Sequence, residues 1–146
     1  MRMRDQNILI TGAGRSIGRA CAERFAEEGG NVAIIDVLEE LGEKAAEDIA
    51  RKYGVKTAFY NCDVGIKAEV DSTVDQVVAD FGHIDVLVSN AGIQRRYDFL
   101  DLPEKVFDEV IQTNLKSIYL FGQKVGKHMV ERGQGGRIVN IASTSV

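Results

Sequence analysis

Asn7-Ile8-Leu9-Ile10-Thr11-Gly12-Ala13-Gly14-Arg15-Ser16-Ile17-Gly18 reads as an apolar strand that runs into a glycine turn and then into a helix. A second apolar run over residues 32–35 ends in a carboxylate, Asp36. Strand, glycine turn, helix, strand and acid in that order describe a dinucleotide-binding βαβ unit. Gly12 lets the chain leave the strand in a conformation closed to residues with a Cβ, and Gly18 lets the new helix lie close against the sheet. The helix then points its free N–H groups at a pyrophosphate. The glycines fall at 12, 14 and 18 and so depart from G-x-G-x-x-G. Taken alone, they also fit a tight strand-to-helix turn with no ligand. Asp36 favours the binding reading, because it lies 18 residues past Gly18, close to the separation of roughly 20 at which an acid reaches the adenosine ribose hydroxyls. The same acid would also serve as N-cap of the following helix, and the two roles are compatible.

Composition narrows the classes. A chain of 146 residues with 45% apolar and 27% charged side chains is an ordinary globule, able to bury roughly two thirds of its unfolded surface in one domain. No apolar run reaches the length of a membrane span, and the charged start, Met1-Arg2-Met3-Arg4-Asp5, has no secretory signal. A soluble, cytoplasmic protein with no membrane partner is expected. The net charge of −4 argues against a broad nucleic-acid surface. Cys21 and Cys62 stand far apart and read as small buried thiols, His83 and His128 read as bystanders, and no metal site is expected.

Strand and helix signals then alternate. Glu39–Tyr53 reads as a helix stopped by Gly54, residues 56–61 as a strand, 64–81 as a helix closed by Gly82, and 85–89 as a central strand that is apolar on both faces. Asp101-Leu102-Pro103-Glu104 supplies a capping acid, a first-turn proline and a glutamate three residues after the cap, so one long helix is expected from there to about residue 131. Residues 137–141 form a fifth strand. Helical crossovers demand a doubly wound parallel α/β sheet, for which the strand order is 3-2-1-4-5, with the ligand crevice where the order reverses between strands 1 and 4. The glycine turn, Asp36, Asp63, Asn90-Ala91-Gly92 and Ser143 then follow strands 1 to 5 and gather along one edge. Ser143 suits a donor to a substrate oxygen that gains charge, or a strand-end serine that bonds its own backbone. Counting by fours, Val106, Val110, Asn114 and Ile118 put an amide in an apolar stripe. Buried without a partner it would cost about 1–3 kcal/mol, so it needs partners, whether for structure or for function.

Thr11-Gly12-x-x-x-Ser16-x-Gly18, Asp63-Val64, Asn90-Ala91-Gly92, Asn114 and Asn140-Ile141-Ala142-Ser143 together resemble the short-chain dehydrogenase/reductase family over the whole chain. The resemblance implies a Rossmann fold and hydride transfer between a nicotinamide cofactor and a small-molecule alcohol or ketone. By that resemblance Gly12, Ser16, Ile17 and Gly18 hold the pyrophosphate, Asp36 the adenosine ribose, Asp63 with Val64 the adenine, and Asn90 with Ala91 and Gly92 the nicotinamide side. Ser143 binds the substrate carbonyl, and Asn114 organises a proton relay through water. Ser16 stands where the family has its middle glycine; its hydroxyl can cap the helix or reach a phosphate, while its Cβ narrows the approach.

NAD is expected over NADP, because Asp36 would repel a 2′-phosphate, with Arg15 as the countervailing charge. Gly92-Ile93-Gln94-Arg95-Arg96 resembles the family's sugar-acid dehydrogenases, and the two arginines are candidates to hold a substrate carboxylate. A 3-oxoacyl substrate and a plain solvated loop are the alternatives. The family's Tyr-x-x-x-Lys does not occur in the 146 residues. Residues 1–146 are therefore expected to be an incomplete Rossmann domain, inactive alone and open at the edge of strand 5, whose full-length form is a homodimer or homotetramer. A module that binds dinucleotide without catalysis, and a methyltransferase on a similar sheet, are competing readings.

Overall fold

The structure, a computed structural model, describes residues 1–143. Five strands, β1 (Asn7–Thr11), β2 (Asn31–Asp36), β3 (Thr57–Asn61), β4 (Val86–Ser89) and β5 (Arg137–Asn140), form one sheet in the order β3-β2-β1-β4-β5. Every pairing is parallel, with Ile8 level with Val32 on one side and Val86 on the other. Helices α1 (Ser16–Glu27), α2 (Glu39–Tyr53) and α3 (Lys67–Phe81) connect the first four strands. The connection from β4 to β5 is a 3₁₀ turn (Phe99–Asp101), α4 (Glu104–Ile111), a π-helical turn (Gln112–Lys116) and α5 (Ser117–Arg132).

Strand periodicity sorts the core into two layers, since successive side chains point to opposite faces. Ile8, Ile10, Val32, Ile34, Val86 and Val88 pack with Ala22 and Ala26 of α1 and Ala45 and Ile49 of α2. Leu9, Ala33, Ile35 and Leu87 face the other way, onto Val70, Val74 and Val77 of α3 and Phe121 and Val125 of α5. Both faces of the central strands are thus covered, as their unbroken apolar runs require. β5 pairs with β4, and all four of its residues are exposed.

The amino ends of the strands are closed by a polar cluster. The Asp85 carboxylate accepts from the Asn7 N–H at 2.8 Å and from Arg132 at 2.8 Å. His128 Nε2 accepts the Ile84 N–H at 3.3 Å. Burial, reinforced by the neighbouring Arg132 and His83, holds the His128 imidazole below its ordinary pKa.

Several local expectations are corrected. The helix after β3 begins at Lys67, because Asp63 to Ile66 form a turn instead. No capping box opens α4: its N-cap is Pro103 without a side-chain bond, and Asp101 closes the 3₁₀ turn. The expected single helix to about residue 131 is interrupted by the π turn that carries Asn114. Asn114 itself is exposed and not buried in the stripe, so the cost of burial does not apply to it. Cys62 is buried as expected, whereas Cys21 is only partly so.

Candidate functional site

The carboxyl ends of the strands open into a cleft of about 730 Å³. Gly12 and Arg15 line it from the first turn, Ser16 and Ile17 from the start of α1, Asp36 from the end of β2, Asp63 and Val64 from the loop after β3, and Asn90, Ala91 and Gly92 from the loop after β4. Ten of the sequence-derived site residues therefore meet on one surface. Gly18, Asn114 and Ser143 are not among the lining residues. Ser143 is exposed beyond the end of β5.

Backbone geometry makes the first turn. Gly12 has a φ of +64°, and a Cβ there would come within 2.8 Å of Ala91 Cα. A Cβ on Gly18 would collide with the Gly12 carbonyl and stand 2.5 Å from Asn90 Nδ2. The close approach that Gly18 permits is thus to the turn itself. Ser16 neither caps α1 nor sits in ordinary helical space: Arg15 is the N-cap, without a side-chain bond, and Ser16 has a φ of +51°. A left-handed residue at the family's glycine position explains why glycine is the usual occupant, and the Ser16 Cβ carries a local cost of about 1–2 kcal/mol.

Asp36 is 8% exposed and has both carboxylate oxygens engaged. Oδ2 accepts the Gly14 N–H at 2.9 Å and Oδ1 the Leu38 N–H at 3.0 Å. The N-cap of α2 is Leu38, so the expected capping role is replaced by a bond to the backbone two residues on. The same carboxylate ties the glycine turn to the end of β2. Asp63 is set in a similar way: its Oδ1 accepts the Gly65 N–H at 2.9 Å, while Glu69 accepts the Asp63 N–H at 2.7 Å.

Thr11 joins the two strands that flank the crevice. Its hydroxyl oxygen accepts the backbone N–H groups of both Asn90 and Ala91 at 3.0 Å. Asn90 answers by donating Nδ2 to the carbonyls of Thr11 and Gly12, each at 3.1 Å. Asn90 Nδ2 is therefore spent on the glycine turn, which it holds beside Ala91 and Gly92.

Asn114 reaches the cleft through another residue. Its Oδ1 accepts the Ile93 N–H at 2.8 Å, and its Nδ2 donates to the Ile93 carbonyl at 2.9 Å. Arg95 lines the cleft with its Nε 3.9 Å from Glu109 Oε2, whereas Arg96 does not line it. A two-arginine clamp is not formed. Cys62 also faces the cleft, and burial pushes its thiol up.

Sequence reasoning missed the parts played by Thr11, Gln112 and Glu109. Thr11 carried a signal, a hydroxyl at the last position before the turn, but its partners lie 79 and 80 residues away. Among the described residues no group of three or more His, Cys, Asp or Glu gathers to hold a metal, and no helix is long and apolar enough to cross a membrane.

A crevice at the point where strand order reverses, floored by a glycine turn and edged by the acid that ends β2, belongs to a Rossmann-like fold. The short chain dehydrogenase family model matches residues 6–146, and the chain belongs to that family. It is 39% identical over 138 residues to a 5-keto-D-gluconate 5-reductase of Escherichia coli K12, covering 94% of this chain and 54% of the relative. Over 135 residues it is 41% identical to a 3-oxoacyl-(acyl-carrier-protein) reductase of Chlamydia muridarum, covering 92% of this chain and 54% of the relative. Among solved structures, NAD⁺-bound xylitol dehydrogenase superposes with a TM-score of 0.93 at 39% identity, over 98% of this chain and 55% of that one. The chain thus spans about half the length of the relatives it matches.

Proposed function

We propose that residues 1–146 form the dinucleotide-binding part of an oxidoreductase that interconverts a secondary alcohol and a ketone, with NAD as its cofactor. The observation that carries this reading is the single cleft lined from the ends of β1, β2, β3 and β4, with Asp36 and the glycine turn on one surface. Its volume of about 730 Å³ suits a cofactor-sized ligand. The residues fit such a group: the glycine turn and the start of α1 line the cleft, and Asp36 beside them is already held by the Gly14 and Leu38 N–H groups.

In this reading the amino end of α1, with Gly12, Arg15, Ser16, Ile17 and Gly18, offers backbone N–H groups to the pyrophosphate. Asp36 accepts from the adenosine ribose hydroxyls, Asp63 and Val64 flank the adenine, and Asn90, Ala91 and Gly92 seat the nicotinamide end. The bound cofactor supplies or accepts the hydride. Ser143 donates to the substrate oxygen as charge builds there, and Asn114 helps to organise the proton relay through water. NAD is favoured because a carboxylate and a phosphate about 4 Å apart repel by about 4 kcal/mol at an effective dielectric of 20. Arg15, exposed in the turn, offsets part of that.

The substrate is a sugar acid in this proposal, as the name of the Escherichia coli relative suggests, with Arg95 as the cation for its carboxylate in place of Glu109. The name of the Chlamydia relative supports a 3-oxoacyl substrate as the alternative. The proposal places the full-length form in the cytoplasm as a homodimer or homotetramer. It is supported by apolar side chains along the connection from β4 to α5, with Phe99 87% and Leu115 60% exposed. Because the 146 residues hold no Tyr-x-x-x-Lys, they bind without turnover when alone.

Calorimetric titration tests the proposal. NAD should bind at least about tenfold more tightly than NADP, and Asp36→Ala should erase the difference, which corresponds to about 1.4 kcal/mol. Tighter binding of NADP overturns the cofactor assignment, and no binding of either overturns the reading.

A further inference from the structure

Two walls of the cleft hang from one helical turn. Gln112 and Asn114 both belong to the π-helical segment between α4 and α5, a form that occurs mostly as single turns and often at functional sites. Gln112 Nε2 donates to the Gly65 carbonyl at 3.3 Å. The side chain also closes over Gly65, where a Cβ would stand 2.5 Å from Gln112 Cγ. Asn114 bonds both backbone groups of Ile93, at 2.8 Å and 2.9 Å.

Residues two apart on a helix do not share a face. The turn is therefore tied on one side to the loop after β3, which carries Asp63 and Val64, and on the other to the loop after β4, which carries Asn90 to Gly92. In a regular α-helix each residue advances about 100° around the axis. The wider π turn changes that advance where the two amides must reach separate loops. Gly65 and Ile93 are 28 positions apart in sequence, yet only Gln112, Thr113 and Asn114 stand between them in the bonded path.

We propose that the π turn is a two-sided clamp coupling the adenosine end of the cleft to its nicotinamide end, with Gln112 as a positioning residue for dinucleotide binding. The proposal rests on the dinucleotide reading above. Ordering the Asp63–Gly65 loop around an adenine fixes Gln112. Through the short turn this fixes Asn114 and its hold on Ile93, so the nicotinamide end is set before the nicotinamide arrives. Gln112 also lines the cleft, so a change in affinity alone does not separate positioning from contact, and the readout is taken at Ile93.

Two measurements on the 146-residue chain test this. In the first, urea unfolding of Gln112→Ala, Asn114→Ala and the double variant is compared without ligand. Sites that share no partner add, so the clamp predicts a double variant whose folding constant exceeds the product of the single losses by more than about threefold. In the second, saturation with AMP should slow amide exchange at Ile93 by at least about fivefold in the parent chain, the lower end of site-to-site coupling. Gln112→Ala should abolish that slowing. Additive losses, or AMP binding that shifts the Leu38 amide while Ile93 exchange stays the same, overturn the clamp and leave the dinucleotide reading standing. AMP that perturbs no amide overturns the dinucleotide reading, and the clamp's role in binding with it.

Discussion

Replacing Thr11 by valine keeps the β-branched shape and removes the hydroxyl oxygen that accepts two backbone N–H groups from the end of β4. Thr11 is 2% exposed, and its hydroxyl oxygen accepts the N–H groups of Asn90 and Ala91 at 3.0 Å. In Thr11→Val both N–H groups lose their acceptor, and each such loss costs about 1–3 kcal/mol. The pair is only partly buried, so the lower half of that range applies, about 2–4 kcal/mol together. The added methyl gives back about 0.8 kcal/mol. The net loss is about 1.5–3 kcal/mol, which lowers Tm by roughly 4–10 °C for a domain near this size. Urea unfolding followed by circular dichroism reads the loss, and amide exchange at Asn90 and Ala91 locates it. Thr11→Ser is the companion variant: it gives up packing but keeps the oxygen, so protection at both amides should survive. A Thr11→Val chain within about 0.5 kcal/mol of the parent, at the level of an ordinary surface change, would refute the view that this hydroxyl organises the crevice.

Two further outcomes are expected. Gly18→Ala forces a Cβ into the Gly12 carbonyl and to 2.5 Å from Asn90 Nδ2, and should cost about 2–3 kcal/mol as overpacking against backbone. Gly92→Ala, whose Cβ would meet its nearest neighbour at 3.5 Å, is the control; equal urea midpoints for the two variants would show that the turn tolerates a side chain. His128 accepts the Ile84 N–H through Nε2 and is held below its ordinary value of 6.5 by burial and by Arg132 and His83. The unfolded chain then binds the proton more readily than the folded one, so this stabilisation is complete above pH 6.5 and is lost as pH falls through the folded-state value. Thermal melts between pH 5 and 7.5 should show a fall in Tm that His128→Gln lacks, and parallel curves would assign the pH dependence elsewhere.

Residues 7–18 and Asp36 mark the first βαβ unit by themselves, because what they encode is local. An apolar run reads as a strand, Gly12 permits a turn that other residues resist, and a second strand ending in an acid follows at the distance one helix spans. The same local logic places small polar groups after each strand, and the parallel order β3-β2-β1-β4-β5 brings ten of the predicted residues to one cleft. Local logic failed in the connection from β4 to β5. Asp101 and Glu104 have the spacing of a capping box, yet the chain turns at a 3₁₀ element and starts α4 from Pro103. Asn114 falls in an apolar stripe if the helix is regular, but the π turn shifts the stripe, and the amide spends itself on Ile93, 21 residues away in sequence.

Hydrogen bonds between distant residues leave no periodicity to read. Thr11 to Asn90, Gln112 to Gly65 and Asp36 to Gly14 join elements whose approach is set by sheet pairing and helix packing. The sequence by itself determined which strand ends and which turn form the crevice, because turn conformation and strand-end position are properties of short segments. Only the tertiary structure decided which of them face the cleft and which hold the others in place, because a polar side chain takes whatever partner the packed fold brings within about 3 Å.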